Sequence, residues 1–167
     1  MMTDYDGETT TLSGQKLSKN APIIHLSGAA DELNAHLGLV KSLISDKDTR
    51  KFIDGVQANV MKLMSHVSDP KNGDFFIADN EIAALERKIA ELSPPPESYP
   101  TGFSLPGKSA AEAQIHIART VARRAERAFV AAAAVNGARP LRLNFGAYLN
   151  KISEFLFVLS LRTDFGF

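Results

Sequence analysis

Between Glu112 and Arg127 the sequence places Glu112, His116, Arg119, Arg123 and Glu126 at helical intervals. At about 100° per residue these five fall within roughly 80° of one another, with Arg127 at the edge of the stripe. Ala118, Val121, Ala122, Ala125 and Phe129 take the opposite face. A polar stripe of this kind is, in the plainest case, a solvated surface laced with Arg–Glu pairs. The choice of cation argues for more. Four arginines and no lysine stand between Arg119 and Arg127, and guanidinium is preferred where phosphate or carboxylate is held by planar, multidentate contact. Both readings are open on these residues alone.

Just upstream, Gly102-Phe103-Ser104-Leu105-Pro106-Gly107-Lys108-Ser109 satisfies the Walker A pattern letter by letter. A phosphate loop needs a buried strand before it and a helix after it, so that successive amides face the anion. The helix is expected, but Pro94 to Thr101 occupies the strand position with four prolines, and proline does not fill a central strand. The match is therefore read as accidental. Asp31 and Glu32 lie in an expected helix, where a carboxylate either pairs with one of the arginines or faces water. The four histidines, His25, His36, His66 and His116, have no metal-ligand spacing and are read as surface or packing residues, so no metal is expected to be held by protein ligands alone. Asn150 and Ser153 interrupt an otherwise apolar run near one-turn spacing. An asparagine there either makes a buried packing bond or presents its amide to a ligand.

These residues need a scaffold, and the chain can build one. Its 167 residues suit a single domain, residues 1–167, and 44% hydrophobic against 23% charged residues describes an ordinary globular protein. Nineteen basic residues balance nineteen acidic ones, which removes the global attraction a general nucleic-acid binder uses. Any anion site must be local. With no cysteine, thiolate metal sites, disulfides and cysteine nucleophiles are excluded. No apolar run approaches the roughly 20 residues that span a bilayer, and the polar, acidic start is unlike a targeting peptide. No membrane is expected as partner, and the default location is the cytoplasm. Apolar periodicity predicts five helices and no strand. The first starts near Pro22 and ends in the polar run Ser45 to Thr49; the second carries Phe52 to Val67; the third carries Ile82 to Leu92. The fourth and longest begins at a capping box of Ser109 and Glu112 and reaches about Val135, and the fifth turns Tyr148, Leu149, Ile152, Phe155, Leu156 and Leu159 inward. Short connections favour antiparallel neighbours, giving an all-α, up-down five-helix bundle. The threonine- and glycine-rich start reads as a loop or short extended segment, and the proline-rich stretch from Pro94 to Gly107, about fourteen residues, is long enough to suggest function.

Four blocks together resemble the PduO-type ATP:cob(I)alamin adenosyltransferases over nearly the whole chain. Thr3 to Lys19 is similar to that family's nucleotide loop, T-G-D-x-G-x-T-x-L-x-x-G-x-R-x-x-K, and Gly28 to Asn34 contains its D-E-L as Asp31-Glu32-Leu33. Phe103-Ser104-Leu105-Pro106-Gly107 resembles F-I-L-P-G. The most specific block joins Ala118 to Arg127 with Tyr148 to Phe157.

The resemblance implies a homotrimer with each active site between two subunits. Its implied reaction moves the 5′-deoxyadenosyl group of ATP to the cobalt of a reduced corrinoid and releases triphosphate, with Mg2+ sharing the phosphate charge. Residues 1–21 would be the nucleotide-binding segment and residues 22–167 the bundle. Thr3, Gly7, Thr9, Gly14 and Lys19 would wrap the triphosphate with Arg123, Glu126 and Asn150. Asp31 would pair with Arg119 across the subunit boundary. Phe103 would cover the lower corrin face, exclude the axial ligand and act with Arg123 and Glu126 at the catalytic centre. A corrinoid reductase or an adenosylcobalamin-dependent enzyme is an implied partner. The chain departs from the pattern at Asp4, Tyr5, Thr11, Lys16, Ile23, His25, Lys151 and Glu154. Those departures keep a second function open, a noncatalytic nucleotide- or corrinoid-binding sensor on the same fold.

Overall fold

The structure, a computed structural model, describes residues 6–69, 71–102, 105–135 and 141–162. Its chain order begins with β1 (Glu8–Thr10) and β2 (Lys16–Ser18), followed by α1 (Pro22–Leu43), α2 (Lys47–Ser68), α3 (Asp79–Leu92), α4 (Ala110–Val135) and α5 (Leu143–Ser160). The all-α bundle of five helices is as the periodicity predicts. The start, read as a loop or short extended segment, is extended and also paired, which the sequence did not predict. β1 and β2 form an antiparallel hairpin with Thr9 opposite Leu17. Threonines supply the β-branched side chains that suit an extended backbone, and Gly14, at φ +79°, supplies the left-handed residue that closes the turn. Strands of three residues leave no legible alternation, which is why the sequence pattern missed them.

Helix ends follow local chemistry. Pro22 opens α1, where its missing N–H is no loss. The polar run Ser45 to Thr49 does more than stop α1: the Asp46 carboxylate accepts the Thr49 N–H at 2.7 Å, so Lys47 to Thr49 is already the first turn of α2. The segment 94–101 holds only a short 3-10 turn, Pro96–Ser98. The Asn136-Gly137 and Pro140 break expected after α4 lies outside the described residues.

α1 packs between α2 and α4, α4 also packs on α5, and α5 carries α3 on its other side. Leu26, Leu33, Leu37, Ile53, Leu63, Leu85, Ile115, Ala122, Leu149, Ile152 and Phe155 are fully buried along these seams. The fifth helix buries all six residues expected to face inward. One contact sets the spacing of α4 and α5. A Cβ on Gly146 of α5 would lie 2.7 Å from the Phe129 ring of α4, so only glycine lets these helices approach as they do.

Candidate functional site

One turn from the Gly146–Phe129 contact, the same antiparallel seam brings Glu126 and Asn150 together. Asn150 Nδ2 donates to Glu126 Oε1 at 3.1 Å, and the Ser153 hydroxyl donates to the Asn150 carbonyl at 2.8 Å. The asparagine therefore presents its amide to a side chain of the polar stripe, joining two residues 24 apart in sequence. Arg123, one turn before Glu126, is exposed, as are Arg124 and Arg127. The stripe is thus two different surfaces: solvated guanidinium groups toward the C-terminal end, and a buried carboxylate at the N-terminal end, where Glu112 is 5% exposed.

Glu112 corrects the expected capping box. Ser109 Oγ does accept the Glu112 N–H at 3.0 Å, as a cap should. The carboxylate, however, reaches past Ser109: its Oε2 accepts the amides of Gly107 and Lys108 at 2.7 and 3.1 Å, while Oε1 lies 3.1 Å from His116 Nε2. Burial works to raise its pKa, but the two amides and His116 outweigh it and hold the carboxyl below the usual range. The same bonds explain why the Walker-like match is accidental. The amides of Gly107 and Lys108, which a phosphate would need, already bind the chain's own carboxylate.

The hairpin residues form a separate group. Gly7, at φ +70°, and Lys19 close the base of the hairpin, where the Lys19 N–H donates to the Gly7 carbonyl at 2.8 Å. Thr9 is half-buried in β1, and Gly14 lies in the exposed tip. The neighbouring Ser13 N–H reaches the Ser68 carbonyl at the end of α2 at 3.2 Å. Lys16 Nζ sits 2.7 Å from Glu8 Oε2 and 3.6 Å from Asp6 Oδ2. Thr3 and Phe103 lie outside the described residues.

Of the acidic pair, Glu32 binds Arg124 of α4, whereas Asp31 is exposed. No ion pair within the described residues joins Asp31 to Arg119. Arg119 is half-buried, and its Nε is buried without a hydrogen-bond partner among the described residues; Asn34 Oδ1 on α1 is buried in the same condition. Among the histidines, His25 meets Asn20 at 2.9 Å, His36 meets Gln114 at 2.7 Å, and His66 is buried against Phe145 with ring centroids 5.3 Å apart. His66 is a packing residue, whereas His116 belongs to the Glu112 network. Lys151 lies between Glu154 at 3.0 Å and Glu86 of α3 at 3.5 Å, and these carboxylates, Glu154 first, raise its pKa.

Two contributions escaped the sequence pattern: the helix spacing set by Gly146 and the amide contacts of Glu112. A glycine inside an apolar helix was the available signal for the first. A cavity of about 380 Å³ between α2, α3 and α5, lined by Phe52, Val56, Asn59, Glu81 and Tyr148, contains none of the expected site residues. Its polar pair, Asn59 and Tyr148, is internally bonded, with Asn59 Nδ2 donating to the Tyr148 hydroxyl at 3.0 Å.

Fold and site define an all-α bundle with exposed arginines on α4 and an Asn–Glu pair that joins α4 to α5. The cobalamin adenosyltransferase family profile matches residues 2–163. The corrinoid adenosyltransferase PduO of Salmonella typhimurium is 33% identical over 162 residues, covering 95% of this chain and 47% of that protein. A cobalamin adenosyltransferase of Cupriavidus metallidurans is 37% identical over 162 residues, covering 93% of this chain and 82% of that protein. Among solved structures, a variant PduO-type ATP:corrinoid adenosyltransferase from Lactobacillus reuteri, complexed with cobalamin and ATP, superposes with a TM-score of 0.78 at 25% identity, covering 96% of this chain and 90% of that one. The chain belongs to the cobalamin adenosyltransferase family. It spans about half the length of the PduO relatives it matches in Salmonella typhimurium and Citrobacter freundii, 47% in each case.

Proposed function

We propose that this protein is an ATP:corrinoid adenosyltransferase, and the observation that carries the reading is the Glu126–Asn150 pair one turn from the exposed Arg123. In the reaction, cobalt of the reduced corrinoid attacks carbon 5′ of ATP. A cobalt–carbon bond forms, the carbon–oxygen bond to the triphosphate breaks, and the bonding electrons leave with the phosphate. Such a displacement needs alignment and a sink for negative charge more than acid–base chemistry. Arg123 supplies the charge. Asn150, held by Glu126, orients the nucleotide from the neighbouring helix. Gly7, Thr9, Gly14 and Lys19 of the hairpin, with Thr3 before it, wrap the triphosphate, and Phe103 covers the lower corrin face. Among the described residues no group of three or more His, Asp or Glu is placed to hold a metal. In this reading Mg2+ would share the triphosphate charge with Arg123.

Assembly is part of the proposal. The unpartnered Arg119 Nε and the exposed Asp31 suit a contact across a subunit boundary, which would complete a homotrimer. Removing one member of such a desolvated pair strands the other and costs about 3 to 5 kcal/mol. Arg119→Ala should shift a trimer toward smaller species in light scattering, and a monomeric wild type at micromolar concentration would overturn this part. The chain is read as one functional unit, with the hairpin segment 1–21 serving the bundle 22–167. It acts in the cytoplasm on corrinoid supplied by a reductase or passed to an adenosylcobalamin-dependent enzyme.

Lys16 favours the second reading, a binding protein without turnover. Its charge, where the family's loop carries arginine, is turned onto Asp6 and Glu8. These groups are well exposed, however, and such pairs contribute less than about 1 kcal/mol, so a phosphate can recruit the lysine. An anaerobic assay with ATP, strong reductant and cob(II)alamin decides between the readings. Adenosylcobalamin formation supports the enzyme; ATP or corrinoid binding with no cobalt–carbon bond supports the sensor.

A further inference from the structure

We propose that the cavity between α2, α3 and α5 is a second small-molecule site, and that its ligand is an uncharged planar ring carrying a cyclic amide. The cavity is separate from the α4–α5 seam. Tyr148 and Asn150 stand two residues apart on α5, about 200° around the helix; Asn150 bonds to Glu126 of α4, whereas Tyr148 bonds to Asn59 of α2. At about 380 Å³ the cavity falls in the usual range for small-ligand pockets, roughly 300 to 1,000 Å³. Gly55 lies exposed on its lining, within the 22-residue α2. A glycine there costs about 1 kcal/mol of helix stability relative to alanine. Neither usual reason for one applies: its φ is not positive, and nothing lies within 4 Å of the Cβ that alanine would add. What the missing side chain leaves free is the cavity.

The walls and the polar groups define the ligand. Phe52, Val56 and Ala84 supply apolar surface, and the buried Phe155 steadies the Phe52 ring, with ring centroids 5.4 Å apart. The charges are already paired or opposed. Glu81 Oε1 accepts from Lys62 Nζ at 2.7 Å and Oε2 accepts the Ala78 N–H at 2.8 Å, and the two exposed lining residues Asp48 and Lys51 have opposite sign. An uncharged ring is therefore favoured. Two hydrogen-bonding valences remain open. Tyr148 and Asn59 are 4% and 7% exposed, and because the Tyr148 hydroxyl accepts from Asn59 Nδ2, its own proton is left to donate. Burial pushes that hydroxyl up to about 12, so the proton is in place at neutral pH. Asn59 Oδ1 accepts no hydrogen bond among the described residues and belongs to the same amide group that holds Tyr148. A donor and an acceptor side by side match the C=O and N–H of a cyclic amide, whose ring packs against Phe52.

The probes are the bicyclic lactam carbostyril, which has this donor–acceptor edge, and naphthalene, which has the same outline without it. Ligand-observed NMR titration of the full chain should give carbostyril a Kd of about 1 mM or tighter. Gly55→Leu places a side chain in the cavity from an exposed helix position, so it should weaken both probes at least about tenfold while the protein stays as stable as wild type. Tyr148→Phe should weaken carbostyril about fivefold, the loss of one hydrogen bond, and leave naphthalene within about twofold. Excess ATP should leave carbostyril binding unchanged. No binding of carbostyril by the wild type at about 5 mM, or undiminished binding in Gly55→Leu, would overturn the site. Equal effects of Tyr148→Phe on the two probes would overturn the cyclic-amide assignment, and displacement by ATP would return the ring to the nucleotide site. Should Tyr148→Phe lose its melting transition, Gly55→Leu decides, because its fold does not depend on the polar pair.

Discussion

In the proposed function the N-terminal hairpin and the α4–α5 seam both serve the nucleotide, but they are built on opposite principles. The hairpin has two strands of three residues, exposed ion pairs and a backbone bond from Ser13 to the end of α2. A two-stranded hairpin is marginal by itself, and its surface pairs exchange readily with water. The seam is dimensionally fixed: Gly146 lies against Phe129, and Glu126 meets Asn150 one turn away. A reaction that depends on alignment benefits from a rigid seam that presents the aligning groups and a compliant segment that wraps the leaving phosphate. Substitutions tolerated in the hairpin should consequently be those the seam rejects.

The largest expected effect is in the seam. Gly146→Val should destabilise the protein by about 3 kcal/mol or more and weaken ATP binding, since overpacking against the buried Phe129 ring separates the helices. Gly146→Ala should cost about 1 kcal/mol net, because about 1 kcal/mol of helix propensity offsets part of the clash. The same change at Gly55 of α2, where nothing lies within 4 Å of the added Cβ, should instead stabilise by about 1 kcal/mol. Denaturant melts of the three variants check the order. Equal stabilities for Gly146→Ala and Gly55→Ala would remove the argument for a fixed seam.

Next in size is the ATP contact proposed for the hairpin. Lys19→Ala should weaken ATP binding about tenfold, the equivalent of about 1.4 kcal/mol, whereas Lys108→Ala should leave it within twofold. The Lys108 amide is engaged by Glu112, and its side chain is given no phosphate role. Calorimetric titration with ATP makes the comparison, and the reverse ranking would shift the nucleotide to the Walker-like segment.

Acid should separate the regions more gently. Burial first, and then the Arg142 charge, push the His66 imidazole below its ordinary value of 6.5. The folded state therefore favours the neutral ring. Its contribution to stability is full above about pH 6.5 and is lost as pH falls through the lower folded value. The depressed Glu112 carboxyl adds a second loss as pH drops below its ordinary 4.5 and through its folded value. Melting temperatures should thus decline from pH 7.5 to 5.5, and His66→Leu should flatten that upper phase. A wild-type profile already flat over this interval would contradict the His66 assignment. The smallest effect is Lys16→Ala, expected to change stability by less than about 0.5 kcal/mol because its partners are exposed; a loss above 1 kcal/mol would show that the hairpin is not compliant.

Much of the bundle was legible in residue spacing. The alanines and Phe129 of α4 and the six inward residues of α5 are buried as their periods require, because a core-facing helix must repeat its apolar side chains every three or four residues. The N-terminal segment was legible only as a loop or short extended stretch, and its pairing was not, since three-residue strands are too short for alternation to stand out. Glu112 illustrates a different limit. Its place three residues after Ser109 suggested a capping carboxylate, but the bonds to Gly107 and Lys108 depend on the path of a loop whose turn is set by a positive φ.

The sequence by itself determined which residues could meet: the stripe from Glu112 to Glu126 follows from helical geometry wherever α4 lies, and the lack of cysteine excludes thiolate chemistry in any fold. Only the tertiary structure decided which of them did meet. Asn150 reaches Glu126 because α4 and α5 run antiparallel at a separation that Gly146 permits, while Glu32 takes Arg124 and the buried Arg119 Nε finds no partner among the described residues. Periodicity is a property of one helix. Partnership depends on the distance and register between two, which side-chain volumes at their contact establish.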